Sequence, residues 1–128
     1  MTREEFIEVL DEKGYSYKIV GDKIVVTHHW YVDLRDLTSL PPDVEFRNEG
    51  DVGLNTLTSL PPGVEFRNKG DVWLQSLKTI PPVVEFKNGD DVYLNSLIGD
   101  WVDKWSGNIK GIDSKRLLNV MIKRGMFI

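Results

Sequence analysis

Glutamates recur in this chain at a fixed spacing, and carboxylates are common carriers of acid–base chemistry. A cation stands two positions after each one. The two columns are formed by Glu45, Glu65 and Glu85, and by Arg47, Arg67 and Lys87. Glycoside hydrolysis needs two carboxylates in different environments on either side of a cleft. A column of equivalent glutamates lacks that difference, so the pattern predicts a solvated ladder of ion pairs, with a recognition surface as the alternative.

Two groups of side chains offer ligands that metal ions use. His28 and His29 are adjacent, and adjacent side chains of a strand point to opposite faces, so we expect them not to converge on one ion with nearby Asp33. Aspartates also fall in predicted turns, at Asp51, Asp71, Asp90 and Asp91. Stacked acidic turns can hold Ca²⁺, but the Gly-rich nonapeptide pattern of calcium-binding β-rolls is missing. Because aspartate bonds backbone groups of its own turn, we predict a structural role, with no metal and no other cofactor.

The motifs of known catalytic sites are missing from the sequence. There is no phosphate-binding loop, zinc-protease motif or serine-hydrolase motif, and the chain has no cysteine. Since no acid, base and nucleophile converge, the sequence predicts a protein that is not an enzyme.

The most variable position among otherwise uniform copies is predicted to point outward from the second strand of each copy. This position and its flanking amides comprise Asp33, Gly53, Trp73, Tyr93, Gln75 and Asn95. Paired outward aromatic rings beside amides have the composition of a binding hot spot. In the alternative interpretation, the C-terminal segment with Trp101 and Trp105 folds over this face and buries the pair.

These positions are set by a strict repeat. Residues 37–98 contain three copies of a 20-residue unit without insertion, and a degenerate copy precedes them. Such a period predicts stacked units that cannot bury their apolar faces alone. Within each copy, two short runs alternate apolar and polar residues, as in 44–48 and 52–54, which is typical of strands. We therefore predict an α+β fold built on a small two-sheet parallel β-solenoid of about four 20-residue coils.

One polar column interrupts the apolar ones. Asn48, Asn68 and Asn88 fall at a predicted corner between the two strands, and His28 takes that place in the degenerate copy. A buried amide can bond backbone groups of its own coil and of the next. We therefore predict a structural role for this column.

The segments on either side of the repeats are predicted to cap the stack. Residues 2–13 are expected to form a helix, because Thr2 and Glu5 have capping-box spacing and Gly14 suits the helix end. Runs 15–20 and 23–27 predict a hairpin that covers the open edge of the first coil.

The C-terminal segment lacks the repeat. A helix is predicted from Asp113 or Ser114 to Arg124, followed by an apolar end. The chain is thus expected to be one domain, with an N-terminal cap at 1–22, repeat coils at 23–98 and a C-terminal cap at 99–128.

Composition limits the choice of partners. The net charge is −4, and residues 1–99 carry 10 of the 16 basic and 17 of the 20 acidic groups, which gives that part −7. An acidic body argues against nucleic-acid binding by the repeats. No apolar run reaches the roughly 20 residues that span a bilayer, and the acidic N-terminus does not look like a secretory signal. We expect no membrane association and a cytoplasmic location.

The segment LTSLPPGVEFRN resembles leucine-rich repeats of the short, 20-residue bacterial kind, in which LxxLPP precedes an alternating strand. Together with GDVYL, it is also similar to tandem repeats of small uncharacterised bacteriophage proteins. The likeness spans residues 24–98. Here a second strand at 72–74 replaces the usual LxLxxNxL continuation, which favours a flat two-sheet solenoid over a horseshoe. The resemblance implies protein binding on an extended face.

The expected function is therefore that of a non-enzymatic protein-binding module. The phage-like resemblance adds a more specific expectation, namely an inhibitor that blocks a host or defence protein by occlusion in the host cytoplasm. Two alternatives stay open. In one, the aromatic face mediates self-association of a structural protein. In the other, Trp73 and Tyr93 stack on sugar rings and the protein binds carbohydrate.

Overall fold

The computed structural model describes residues 1–79 and 84–94, apart from the side chain of Glu85. This part of the chain has one helix and two small, mostly parallel sheets, so the predicted α+β class is confirmed. Asn95 and the predicted C-terminal cap at 99–128 lie outside the described residues.

Helix α1 spans Arg3–Lys13 and is closed by local interactions at both ends. Thr2 and Glu5 form the predicted capping box, which satisfies free backbone N–H groups of the first turn. Gly14 ends the helix with φ of 71°, a left-handed conformation that costs glycine little. Phe6 and Leu10 are fully buried and direct one face of the helix into the core.

The strands form two sheets. Sheet A has the order β1-β2-β4-β6-β8, and sheet B the order β3-β5-β7-β9. The strands of sheet A are β1 Tyr17–Val20, β2 Lys23–Val26, β4 Val44–Phe46, β6 Glu65–Phe66 and β8 Glu85–Phe86. Those of sheet B are β3 Val32–Asp33, β5 Val52–Gly53, β7 Val72–Trp73 and β9 Val92–Tyr93.

The register of the parallel strands follows the sequence period. Glu45 pairs with Glu65, Val52 with Val72, and every other parallel pair also joins residues 20 positions apart. Among the strands that the structure describes, only β1 and β2 run antiparallel, as the predicted hairpin. Because β2 pairs with β4, the hairpin extends sheet A beyond the first repeat strand, as expected.

The core lies between the two sheets and is built from stacked identical side chains. Phe46, Phe66 and Phe86 stack with ring centroids 5.4 and 5.2 Å apart and nearly parallel planes. The inward valine and leucine columns are buried beside them. Each phenylalanine ring packs on its equivalent in the next copy, so the copies stack in register. Side chains that point outward are therefore held at the regular spacing of neighbouring strands.

The asparagine column has the predicted structural role. Asn48, Asn68 and Asn88 are buried, and each Nδ2 donates to backbone carbonyls of its own copy and of the preceding one. His28 acts differently, because its Nδ1 accepts a hydrogen bond from the N–H of Ser16 at 3.4 Å. The degenerate copy therefore uses this corner to hold the hairpin.

Candidate functional site

The outward position of sheet B forms one continuous row. Asp33 pairs with Gly53, Gly53 with Trp73, and Trp73 with Tyr93. The predicted site residues on these four strands are therefore consecutive neighbours. We call this surface the sheet-B row.

Trp73 and Tyr93 make the strongest contact in the row. Their ring centroids are 3.9 Å apart and their planes differ by 6°, so the rings stack face to face. The indole Nε1 of Trp73 donates to Oδ2 of Asp51 at 3.3 Å, which fixes the orientation of the ring. Both side chains are half-buried. Because the rings of neighbouring strands stack on each other, the edges of the Trp73 and Tyr93 rings, rather than their faces, are directed outward.

Tyr31 fills the gap that Gly53 leaves in the row. A Cβ added at Gly53 would lie 2.4 Å from the Tyr31 hydroxyl and 3.2 Å from its ring, so the phenol lies directly on the glycine. Burial raises the pKa of Tyr31, with a smaller contribution from Asp33. The repeat pattern does not predict this contact, because Tyr31 falls in the column of Asp51 rather than in that of Gly53. The row thus carries aromatic rings at three successive strands: Tyr31 over Gly53, then Trp73 and Tyr93.

The remaining predicted site residues are Asp33, which begins the row, and the amides Gln75 and Asn95. Asp33 forms an ion pair with Arg35, with 3.2 Å between Oδ2 and Nε, and its backbone N–H donates to the hydroxyl of Tyr15. The backbone N–H of Gln75 donates to Oδ1 of Asn55 at 3.2 Å. Asn95 lies outside the described residues. Asp33 is therefore tied into the start of the row.

The aspartates of the turns bond backbone groups, but not in the way predicted. Oδ1 of Asp51 accepts from the N–H of Asp71 at 2.8 Å, and Oδ1 of Asp71 accepts from the N–H of Asp91 at 2.9 Å. Each bond thus joins one copy to the next, whereas a bond within a single turn was expected. These aspartates form a second ladder beside the sheet-B row.

One part of this ladder has the donor set of a cation site. Carboxylate oxygens of Asp71, Asp90 and Asp91 all lie within 4.8 Å of one another. Burial raises the pKa of Asp71, and the negative charge of Asp90 raises it further. The hydrogen bond from the N–H of Asp91 lowers this pKa but does not outweigh burial. Oxygen ligands of this kind suit Ca²⁺ or Mg²⁺, but groups of acidic residues from neighbouring turns are also common without an ion.

The two histidines are closer than predicted. Residues 27–31 lie outside the strands, so strand alternation does not apply, and the rings of His28 and His29 have centroids 4.8 Å apart. Burial lowers the pKa of His28, and the neighbouring His29 lowers it further. In the part of the chain that the structure describes, no third ligand joins them in a metal-binding group.

The glutamate column on the outer face of sheet A is less solvated than predicted. Glu45 is only 4% exposed and contacts Arg47, Lys23 and Arg67. Lys23 and Arg67 also reach Glu65, at 3.2 and 3.5 Å. Burial alone would raise the pKa of Glu45. Hydrogen bonds with the Glu65 carboxyl and the Arg47 guanidinium, with the nearby positive charges, outweigh burial and lower the pKa to about 2. The ion-pair ladder exists, but its first carboxylate is buried.

Comparisons with protein-family models, with curated proteins and with solved structures find no match for this chain. Among the described residues, no helix has both the length and the apolar character needed to cross a bilayer.

Proposed function

We propose that this chain is a non-enzymatic protein-binding module that contacts its partner through the sheet-B row. The observation that carries the proposal is the stacked pair of Trp73 and Tyr93, continued by Tyr31 over Gly53. Aromatic side chains held on a rigid ladder lose little conformational entropy when a partner covers them. Half-burial leaves part of each ring for that contact.

The proposal includes a more specific architecture. Its support is the 20-residue offset of every parallel pair and the stacked phenylalanine column. In this architecture the chain is a leucine-rich-repeat-like solenoid of about four coils. The N-terminal helix and hairpin cap one end of the stack. Regular coils present a flat face rather than a cleft.

The size of the row bears on the nature of the partner. Four strands about 4.8 Å apart span only about 14 Å, which is narrow for a stable protein interface. The contact would therefore extend onto the corner that precedes each strand, where Trp30 is 71% exposed. Trp30, Tyr31 and Trp73 would then act together as aromatic anchors.

Ring orientation favours a protein over a sugar. A sugar stacks on an open aromatic face, but Trp73 and Tyr93 cover one face of each other. The rung on the other side of Trp73 is occupied by Tyr31. We therefore expect no binding on a glycan array.

The acidic side chains of the described region support a role without catalysis. Glu45 is held by three cations, and Asp51 and Asp71 accept bonds from the backbone of the next copy. These three carboxylates therefore bind side chains and backbone groups of the fold itself.

The identity of the partner rests on the resemblance of the repeats to those of small bacteriophage proteins. This resemblance supports a host or defence protein that is inhibited by occlusion in the host cytoplasm.

The experiment is affinity capture from bacterial lysate with quantitative mass spectrometry. Wild type, Trp73→Ala and the surface control Glu8→Ala are immobilised at equal density after circular dichroism confirms folding. Wild type and Glu8→Ala should retain the same protein, and Trp73→Ala should lose at least about tenfold of it, as expected for an anchor residue. Equal retention by all three, or none above background, would contradict the proposal.

A further inference from the structure

Within the described part of the chain, strand β1 leaves one edge of sheet A open. β1 is the outermost strand, with β2 on one side, and no strand of the described chain pairs with its other side. The hairpin therefore covers the edge of the first repeat strand but creates a new edge of its own. An uncovered edge presents unpaired N–H and C=O groups that can pair with another strand.

The backbone groups that face this edge follow from the register of the hairpin. The N–H of Thr27 donates to the carbonyl of Ser16 at 2.9 Å, which makes this a hydrogen-bonded pair. Hydrogen-bonded and non-hydrogen-bonded pairs alternate in antiparallel strands. The pairs Tyr17–Val26 and Ile19–Ile24 are therefore non-hydrogen-bonded pairs. Tyr17 and Ile19 consequently direct their backbone N–H and C=O groups away from β2.

Exposed apolar side chains flank the same edge. Ile19 is 48% exposed and Val20 is 51% exposed, although both belong to a regular strand. They point to opposite faces of sheet A, because side chains alternate along a strand. A strand added beside β1 would cover apolar surface on both faces.

The outer face beside this edge is positively charged. A cavity of about 300 Å³ is lined by Lys18, Lys23 and Arg47, by the carboxylate of Glu45, and by Val20 and Val25. The three cations exceed the one carboxylate, which gives the cavity wall a charge of +2 within a chain whose net charge is −4. Lys18 lies on β1 itself, next to the open edge.

From these observations we infer that β1 binds an extended segment of a partner protein in which apolar and acidic residues alternate. The segment forms main-chain hydrogen bonds with Tyr17 and Ile19. Its apolar residues cover Ile19 on the inner face, and its acidic residues face Lys18 and the cationic cavity on the outer face. This is strand addition, in which main-chain bonds provide affinity and alternate side chains provide specificity.

Charge argues against a second copy of the chain as the occupant. The symmetric antiparallel pairing that uses both Tyr17 and Ile19 places Lys18 directly opposite its own copy. Like charges directly opposite each other destabilise a strand pair. The inferred site is also separate from the sheet-B row, so it stands or falls independently of the proposed function.

The test measures fluorescence anisotropy of a labelled seven-residue peptide that alternates valine and glutamate. The full chain should bind it saturably. A peptide N-methylated at every second residue should bind at least about tenfold more weakly, because its main-chain donors to the edge are lost. A peptide with lysine in place of glutamate should also bind at least about tenfold more weakly.

Two variants examine the protein side of the contact. Ile19→Pro removes an N–H that faces the open edge and leaves the bonds between β1 and β2 in place, so it should abolish peptide binding without unfolding the hairpin. Lys18→Glu brings the charge of the cavity wall from +2 to zero, so it should remove the preference for the glutamate peptide over the lysine peptide. Trp73→Ala should leave peptide binding unchanged.

Three outcomes would overturn the inference. They are no saturable binding of the glutamate peptide, equal binding of the N-methylated peptide, and a concentration-dependent dimer in sedimentation that Ile19→Pro removes. If Ile19→Pro does not fold, the comparison of the two peptides on the wild-type chain still decides the question.

Discussion

Asn68→Asp is the substitution whose effect follows most directly from the contacts in the structure. Nδ2 of Asn68 lies 3.1, 3.3 and 3.1 Å from the backbone oxygens of Gly50, Gly70 and Asp71. Its Oδ1 accepts no hydrogen bond among the described residues. The side chain is 1% exposed, so the nitrogen donates its hydrogen bonds in a buried corner.

The magnitude follows from those bonds. The two N–H hydrogens of the amide serve three carbonyls, and aspartate would remove both of these donors, although each carbonyl keeps one other donor. Each lost hydrogen bond costs about 1 kcal/mol, and the buried carboxylate, which would face three carbonyl oxygens, adds about 2 kcal/mol. We expect a loss of about 4 kcal/mol in the free energy of unfolding at neutral pH, a large part of the 5 to 15 kcal/mol typical of a domain.

The assay is urea unfolding followed by circular dichroism, with Asn55→Asp as the matched control. Asn55 uses its Oδ1 to accept from the N–H of Gln75 at 3.2 Å. Aspartate keeps that acceptor, so we expect the control to lose less than about 0.5 kcal/mol. The carboxyl introduced at position 68 should have a raised pKa, because burial disfavours its charge. The penalty should therefore shrink as pH falls through that pKa. Equal losses for both variants would refute this reasoning.

The other predictions concern the outer face of sheet A and the sheet-B row. The pKa of Glu45 is lowered to about 2 from 4.5, so its charge stabilises the fold above pH 4.5 and this contribution is lost as pH falls towards 2. Glu45→Gln should lower the free energy of unfolding by about 1 to 2 kcal/mol at neutral pH, a modest loss because the paired cations are partly exposed. At a pH near 2 the same substitution should cost little. Urea unfolding measures both losses, and equal losses at the two pH values would contradict this prediction. Gly53→Ala should displace the Tyr31 phenol with a stability change within about 0.5 kcal/mol. The raised pKa of Tyr31 should then fall towards its ordinary value in an NMR titration of the tyrosine rings, and an unchanged titration would mean that the phenol does not depend on this glycine.

Much of the fold could be predicted because the period carries no insertion. Equal spacing places Val52 beside Val72 and Trp73 beside Tyr93, and period-two alternation assigns each residue of a strand to a face. The capping box and Gly14 likewise define α1 from local chemistry alone. These features depend on short-range patterns or on repetition, both of which a single sequence displays.

Other features depend on side-chain conformation in the degenerate copy and in the corners. Tyr31 belongs to one column and covers a glycine of another, which spacing alone does not indicate. Asp51 bonds the following copy rather than its own turn, because the stacked backbone brings the N–H of Asp71 within reach. Glu45 is buried because Lys23 from the hairpin and Arg67 from the next copy fold over it. Each case needs the three-dimensional placement of a long side chain.

The proposed function requires that a partner can reach the sheet-B row in the free protein, and the fluorescence of Trp73 reports on this accessibility. A variant with Trp30, Trp101 and Trp105 changed to phenylalanine leaves Trp73 as the single tryptophan. Acrylamide should quench its fluorescence less than that of N-acetyltryptophanamide but well above the level of a fully buried indole, since the ring is half-buried. Quenching no greater than that of a buried indole would show the row to be covered, and would contradict the account.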